Sequence, residues 1–93
     1  MDMQKSVSGA QNAELAELSR QKIVVGAKQL RKALRDGNAA KVFIAEDADF
    51  HLTDPVKATC EETAVPTVLV PTMSELGKAC GIEVGAAVAA ILR

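Results

Sequence analysis

Aromatic side chains are nearly missing from this 93-residue chain, which has two phenylalanines, Phe43 and Phe50, and no tyrosine or tryptophan. Proteins that stack successive bases of a single strand on aromatic platforms need several such rings, so that class is disfavoured. Cysteine is also scarce. Cys60 and Cys80 lie twenty positions apart, without a CxxC pair and with a single histidine, His51. This spacing suits neither a metal site nor a disulfide framework and predicts two reduced thiols half-buried in helices. Both phosphate-loop patterns are absent: there is no G-x-x-x-x-G-K-[ST], and Gly26 lacks the second glycine of G-x-G-x-x-G. No apolar run approaches the ~20 residues of a membrane span, and residues 1–12 lack the cationic-then-apolar order of a secretory signal. The expectation is a cytoplasmic protein with no membrane contact, no cofactor and no metal.

What the chain does have is aliphatic bulk and a skewed charge distribution. It is 48% hydrophobic, mostly Ala, Val, Leu and Ile, and its length suits one small domain with a single core. The formal net charge of −1 hides a polarity. From Arg20 to Arg35 there are six cations and no acid; from Asp36 to Glu62 there are seven acids against Lys41 and Lys57. Binding one defined RNA feature requires a patch of this kind and not a globally basic surface.

The densest part of the basic segment is Gly26-Ala27-Lys28-Gln29-Leu30-Arg31-Lys32. It joins a strand-like run, Ile23 to Val25, to a short helix. Gly26 allows a tight turn between them. The helix then presents its unpaired N–H groups and the positive end of its dipole. Lys28 and Lys32 share one face, as do Arg31 and Arg35, while Leu30 and Leu34 form the buried side. A helix start flanked by cations and an amide suits a polyanion with readable hydrogen-bonding edges, which points to nucleic acid.

Helices and strands alternate along the remainder. Residues 1–11 read as a flexible tail and 12–93 as a single domain. Asn12 is placed to cap a helix containing Ala13, Leu15, Ala16 and Leu18. Strands are expected at Lys22 to Val25, Lys41 to Ala45 and Pro66 to Val70. The basic helix ends at Gly37. An acidic loop, Glu46 to Asp49, precedes a helix capped by Thr53 or Asp54, with Pro55 in its first turn. Thr72 and Glu75 form the T-x-x-E pattern of a capping box, opening a helix that stops at Gly81. The apolar run Ala86 to Leu92 is ambiguous by periodicity and is read as a strand buried on both faces. The sum is an α/β fold: a three-layer α/β/α sandwich with a mixed sheet of about four strands.

Three separated segments, G-A-K-Q-L-R-K at 26–32, I-A-E-D-A-D at 44–49 and L-G-K-A-C-G-I-E-V-G at 76–85, together resemble the kink-turn RNA-binding ribosomal protein superfamily of the L7Ae type. The small bacterial ribosomal-protein-like members are the nearest in pattern. The resemblance covers about Gln21 to Arg93 and implies an α/β/α sandwich that recognises and stabilises kink-turns: bends in duplex RNA built on tandem G·A pairs beside a bulge. In the family pattern G-x-N-E-x-x-K, the Asn, Glu and Lys contact the G·A pairs. Those positions are Lys28, Gln29 and Lys32 here, so only the last keeps its type. Lys in place of Asn exchanges a two-way amide for a donor-only cation, and Gln in place of Glu removes a charged acceptor. Binding should therefore depend more on charge, and on salt. The implied RNA-binding set is Gly26, Lys28, Gln29, Arg31, Lys32 and Arg35, with Ile82, Glu83 and Val84 from a loop that covers bulge nucleotides in relatives. Asp49 matches an acid that meets a flipped-out base in some relatives, and a lysine those relatives carry is replaced by Thr63. The implied partners are structured RNA containing a kink-turn and, as a candidate, the ribosome, with the chain acting as a monomer.

Two other readings compete. Glu46, Asp47 and Asp49 could converge as carboxylates for acid–base or Mg²⁺ chemistry, but no His, Lys or hydroxyl nucleophile has a recognisable partner, so the chain is not read as an enzyme. The alternative to kink-turn recognition is a ribosome- or ribonucleoprotein-associated protein-interaction module in which RNA contact is secondary.

Overall fold

In the computed structural model, residues 16–18 and 21–93 are described. Residues 16–18 are helical and bury Leu18; the tail and the Asn12 cap lie outside the described residues. The following elements are β1 (Ile23–Val25), α1 (Ala27–Arg35), β2 (Ala39–Ala45), α2 (Phe50–Thr63), β3 (Thr67–Val70), α3 (Met73–Cys80) and β4 (Val88–Leu92). The strands form one mixed sheet in the order β1-β4-β2-β3. β4 runs antiparallel to both neighbours, with Val24 opposite Ala90 and Ile44 opposite Val88. β2 and β3 are parallel, Phe43 facing Val68, and are joined through α2 as a parallel pair requires.

Each face of the sheet has its own helical cover. Val42, Ile44, Val88 and Ala90 pack under Leu30, Ala33 and Leu34 of α1 and Val56 and Cys60 of α2. Phe43, Ala45, Val70, Ala89 and Ile91 point the other way, onto Leu18 and onto Leu76 of α3. This is why residues 42–45 of β2 and all of β4 read as unbroken apolar runs: both parities of these stretches are buried. β4 supplies small side chains, Ala89 and Ala90, at positions where helices approach from both sides. Burying each Leu or Val outright contributes about 1.5–3 kcal/mol, and the central strands and the helices over them share that gain.

One helix begins earlier than its sequence signals predict. The second long helix starts at Phe50, with Asp49 as its cap, and not after Thr53 or Asp54. Asp49 Oδ1 accepts the His51 N–H at 2.8 Å. The extra turn lets Thr53, only 4% exposed, join Val56 and Cys60 on the buried stripe. Pro55 is therefore inside the helix, where its missing N–H costs one hydrogen bond. Packing of the stripe outweighs the local preference of Pro for a first turn.

The topology sends one set of junctions to a single end. β1, β2 and β3 all finish there and lead into α1, α2 and α3, while the segment entering β4 arrives there. Three hydrogen bonds record the convergence: Gly26 N–H to the Val88 carbonyl (3.1 Å), Ala45 N–H to that of Ala87 (2.9 Å) and Glu46 N–H to that of Val70 (2.7 Å).

Candidate nucleic-acid interface

At this end α1 begins on Gly26, whose φ of +104° is a conformation that L side chains rarely adopt. Space is not the reason for glycine, since a methyl there would meet nothing within 4 Å. No side chain caps α1 and no acid stands in its first turn. Lys28, Gln29, Arg31, Lys32 and Arg35 are all exposed, and among the described residues none of the four cations is in an ion pair. At the helical turn angle, Lys28, Lys32 and Arg35 form the outward face, with Gln29 and Arg31 on opposite flanks. Gln29 and Lys32 also line a cleft of about 190 Å³ with Asp36, Asn38, Val24 and Leu92. The far end of α1 is closed by Gly37 at φ +75°, with Asn38 N–H on the Ala33 carbonyl at 2.9 Å.

The second expected element, residues 81–85, lies at the same end but on the opposite layer, against α3. It is firmly held. Ile82 N–H bonds the Gly77 carbonyl at 3.1 Å, and Ala86 N–H bonds that of Met73 at 3.0 Å. Gly77 makes the close approach possible: a methyl there would run into the Val84 carbonyl oxygen. The three predicted loop residues divide. Val84 is 70% exposed and Glu83 is exposed. Ile82 is half-buried against the cluster of Leu18 and Leu76, so its apolar chain serves packing as well as surface.

The acidic loop serves as helix caps. Asp47 Oδ1 accepts the Met73 N–H of α3 at 2.8 Å, and Asp49 caps α2. Thr72 Oγ1 accepts the Glu75 N–H at 3.1 Å, as the capping-box pattern predicts. Among the described residues, no three His, Cys, Asp or Glu side chains are grouped as metal ligands. Thr63 closes α2 at the end remote from Asp49, fourteen residues along, so these two positions cannot share one base pocket. Cys60 and Cys80 are free, and burial raises both thiol pKa values, which keeps them protonated near neutrality. No described helix is long and apolar enough to cross a membrane.

Sequence reasoning missed two features here. Gly77 carried no turn signal, because it sits mid-helix and its role is contact with a loop. The second is the surface pair Phe50–His51. Their rings stack with centroids 4.4 Å apart and planes inclined by 26°. Phe43 is fully buried whereas Phe50 is 62% exposed. Scarcity of aromatics argued against base stacking, yet half of the phenylalanine in the chain is displayed at this end.

The sequence matches the ribosomal protein L7Ae/L30e/S12e/Gadd45 family over residues 9–93. An RNA-binding protein of Geobacillus kaustophilus is 53% identical over 72 residues, covering 77% of this chain and 88% of the relative. RNA-binding protein YbxF of Geobacillus stearothermophilus is 51% identical over the same length and the same shares of both chains. Among solved structures, the Giardia lamblia 15.5kD RNA binding protein superposes with a TM-score of 0.77 at 34% identity, over 85% of this chain and 68% of that one.

Proposed function

The chain belongs to the ribosomal protein L7Ae/L30e/S12e/Gadd45 family, and from that premise we propose that it is a non-catalytic RNA-binding protein that recognises and stabilises kink-turns in structured RNA. The observation that carries this reading is the uncapped, cation-flanked start of α1 beside the strapped loop 81–85 at one end of the sandwich. The similarity to named RNA-binding proteins supports it. Lys28, Gln29 and Lys32 reach base edges in the major groove of the kink. Arg31 and Arg35 meet phosphates, and Val84, with Glu83 and the exposed part of Ile82, covers the bulge. Lys32 offers donors to the N7 and O6 acceptors of guanine, and Lys28 does the same where relatives carry an amide. A nine-residue helix offers little length along a straight groove, whereas two contact elements on opposite layers suit a bent RNA. Binding only the bent state shifts the population toward it. The protein then works in the cytoplasm as a monomer on ribosomal or regulatory RNA and needs no metal or cofactor.

The test is energy transfer between dyes on the two arms of a kink-turn RNA, titrated with protein in EDTA. Transfer rises to the folded value without Mg²⁺ if the reading is right. Unchanged transfer at saturating protein, or equal affinity once the G·A pairs are made Watson–Crick, overturns it. In the alternative, a ribonucleoprotein-docking module, naked kink-turn RNA binds weakly and without dependence on the kink.

A further inference from the structure

α2 does not cover the sheet to its edge. β3 is an edge strand beside β2. Ile44 stands opposite Leu69 and Val42 opposite Thr67, so these four share the face under α2. On β2 that face is sealed, with Val42 and Ile44 buried under Val56 and Cys60. On β3 it is open: Thr67 is exposed and Leu69 is 43% exposed. Between β3 and the flank of α2 runs a groove of about 400 Å³, in the lower part of the range for small-ligand sites. Its floor is Ile44, Cys60 and Val65, with Leu69 on one wall and Lys57 and Glu61 on the other. An exposed Leu alone needs no explanation. A Leu that walls an apolar groove with a polar rim marks a contact site.

The charge on the rim selects the occupant. At the helical turn angle, Asp54, Lys57 and Glu61 lie on the flank of α2 that borders the groove, and Glu62 lies on the outward face. All four are exposed, three acids against one cation. The cations of α1 sit over the other side of the sheet: the cleft beside Lys32 is lined by Val24 of β1 and Leu92 of β4, toward the edge opposite β3. A phosphate backbone meets net repulsion at the groove, and an acidic peptide meets the same. An aliphatic side chain carried between lysines or arginines satisfies both floor and rim. We infer that the groove between β3 and α2 is a docking site for a basic polypeptide segment. It lodges Leu-, Ile- or Met-type side chains against Ile44 and Leu69 and sets its cations against Asp54 and Glu61. The contact goes beyond the RNA reading and does not depend on it; the groove lies apart from the α1 surface, so one chain can hold RNA and a protein partner together.

The experiment titrates the full-length protein with short fluorescent peptides in which paired Leu or Met side chains are set among Lys and Arg. In one control the apolar pair is Ser, and in the other the basic residues are Glu. The apolar basic peptides should bind at least about tenfold more tightly than either control. Leu69→Ser should melt close to wild type, bind these peptides about tenfold more weakly and bind kink-turn RNA unchanged. Two rim variants should act in opposite directions. Glu61→Lys should weaken peptide binding about threefold and Lys57→Glu should strengthen it by a similar factor, both effects shrinking as salt rises. The inference is overturned if the Ser-control peptides bind equally well, which is plain charge attraction, if Leu69→Ser leaves peptide binding unchanged, or if Lys57→Glu weakens it. Loss of RNA affinity in Leu69→Ser assigns the groove to RNA instead. Self-association of wild type that Leu69→Ser abolishes assigns it to a second copy of the chain. Either result also overturns the inference.

Discussion

Three helices start at one end of the sheet, and their starts are not alike. α2 has its first-turn donors met by Asp49 and α3 by Thr72 and by Asp47 from a neighbouring loop. α1 has glycine at the cap, no acid in its first turn and four exposed cations along its length. Because an α-helix leaves its first four N–H groups unpaired, the closed starts invest side chains in stability, while the open start leaves its donors available to the RNA proposed above. The comparison separates acids from cations by position: Asp47 and Asp49 close the starts of α3 and α2, and Lys28, Arg31, Lys32 and Arg35 follow the open start of α1. It also predicts which substitutions affect folding and which affect binding.

The largest stability effect belongs to the closed side. Gly77→Ala puts a methyl into the Val84 carbonyl and should destabilise the fold by about 1–3 kcal/mol, the usual range for overpacking, and toward its upper end because the clash is with backbone. Thermal melting checks it, and RNA affinity should fall as the loop is displaced. A mutant that melts normally would show that the loop can move off α3.

On the open side the effect moves from folding to binding. Lys32→Ala should weaken kink-turn binding by about 1–3 kcal/mol, the range for a base-edge contact, with no change in melting. Gel shifts at roughly 0.15 M salt decide it; binding equal to wild type would remove Lys32 from the interface. Asp47→Ala is the matching change at a closed start. It should cost about 1 kcal/mol of stability, as for other caps, and leave intrinsic RNA affinity intact. If affinity falls instead, the acid contributes to the site and the division between open and closed starts breaks down.

Much of this division was legible beforehand, and the misses have physical causes. The basic helix, its Gly37 stop, the Thr72 cap and the buried last strand all follow from local rules of spacing, capping and glycine. The start of α2 did not, because the Thr-Asp-Pro signal is local whereas the burial of Thr53 depends on the sheet beneath it. Gly77 and Asp47 act across loops that only the tertiary fold brings together, and no periodicity marks them. Ile82 and Val84 look equivalent in sequence, and their difference in exposure depends on which way a strapped loop turns each side chain. For the proposed interface, the sequence names candidate residue types, but the exposure of Phe50 at a helix start could not be read from it.

The smallest predicted effect tests the end of α2 remote from the helix starts. The three helices stop alike, each with a reverse turn that satisfies its last carbonyls, but α1 and α3 use Gly37 and Gly81 while α2 uses Ala64 at φ +57°. Val65 N–H on the Cys60 carbonyl at 3.0 Å shows the same closure as at the glycine stops. Alanine in this left-handed region costs roughly 1 kcal/mol that glycine does not, partly offset by the greater freedom of glycine in the unfolded chain. Ala64→Gly should therefore raise stability by about 0.5 kcal/mol, read as a small increase in melting temperature. RNA affinity should be unchanged, because the residue sits at the remote end of α2. If Ala64→Gly weakened RNA binding, the RNA would have to extend along α2 or couple through it, and confinement of the interface to the end where the helices start would be wrong.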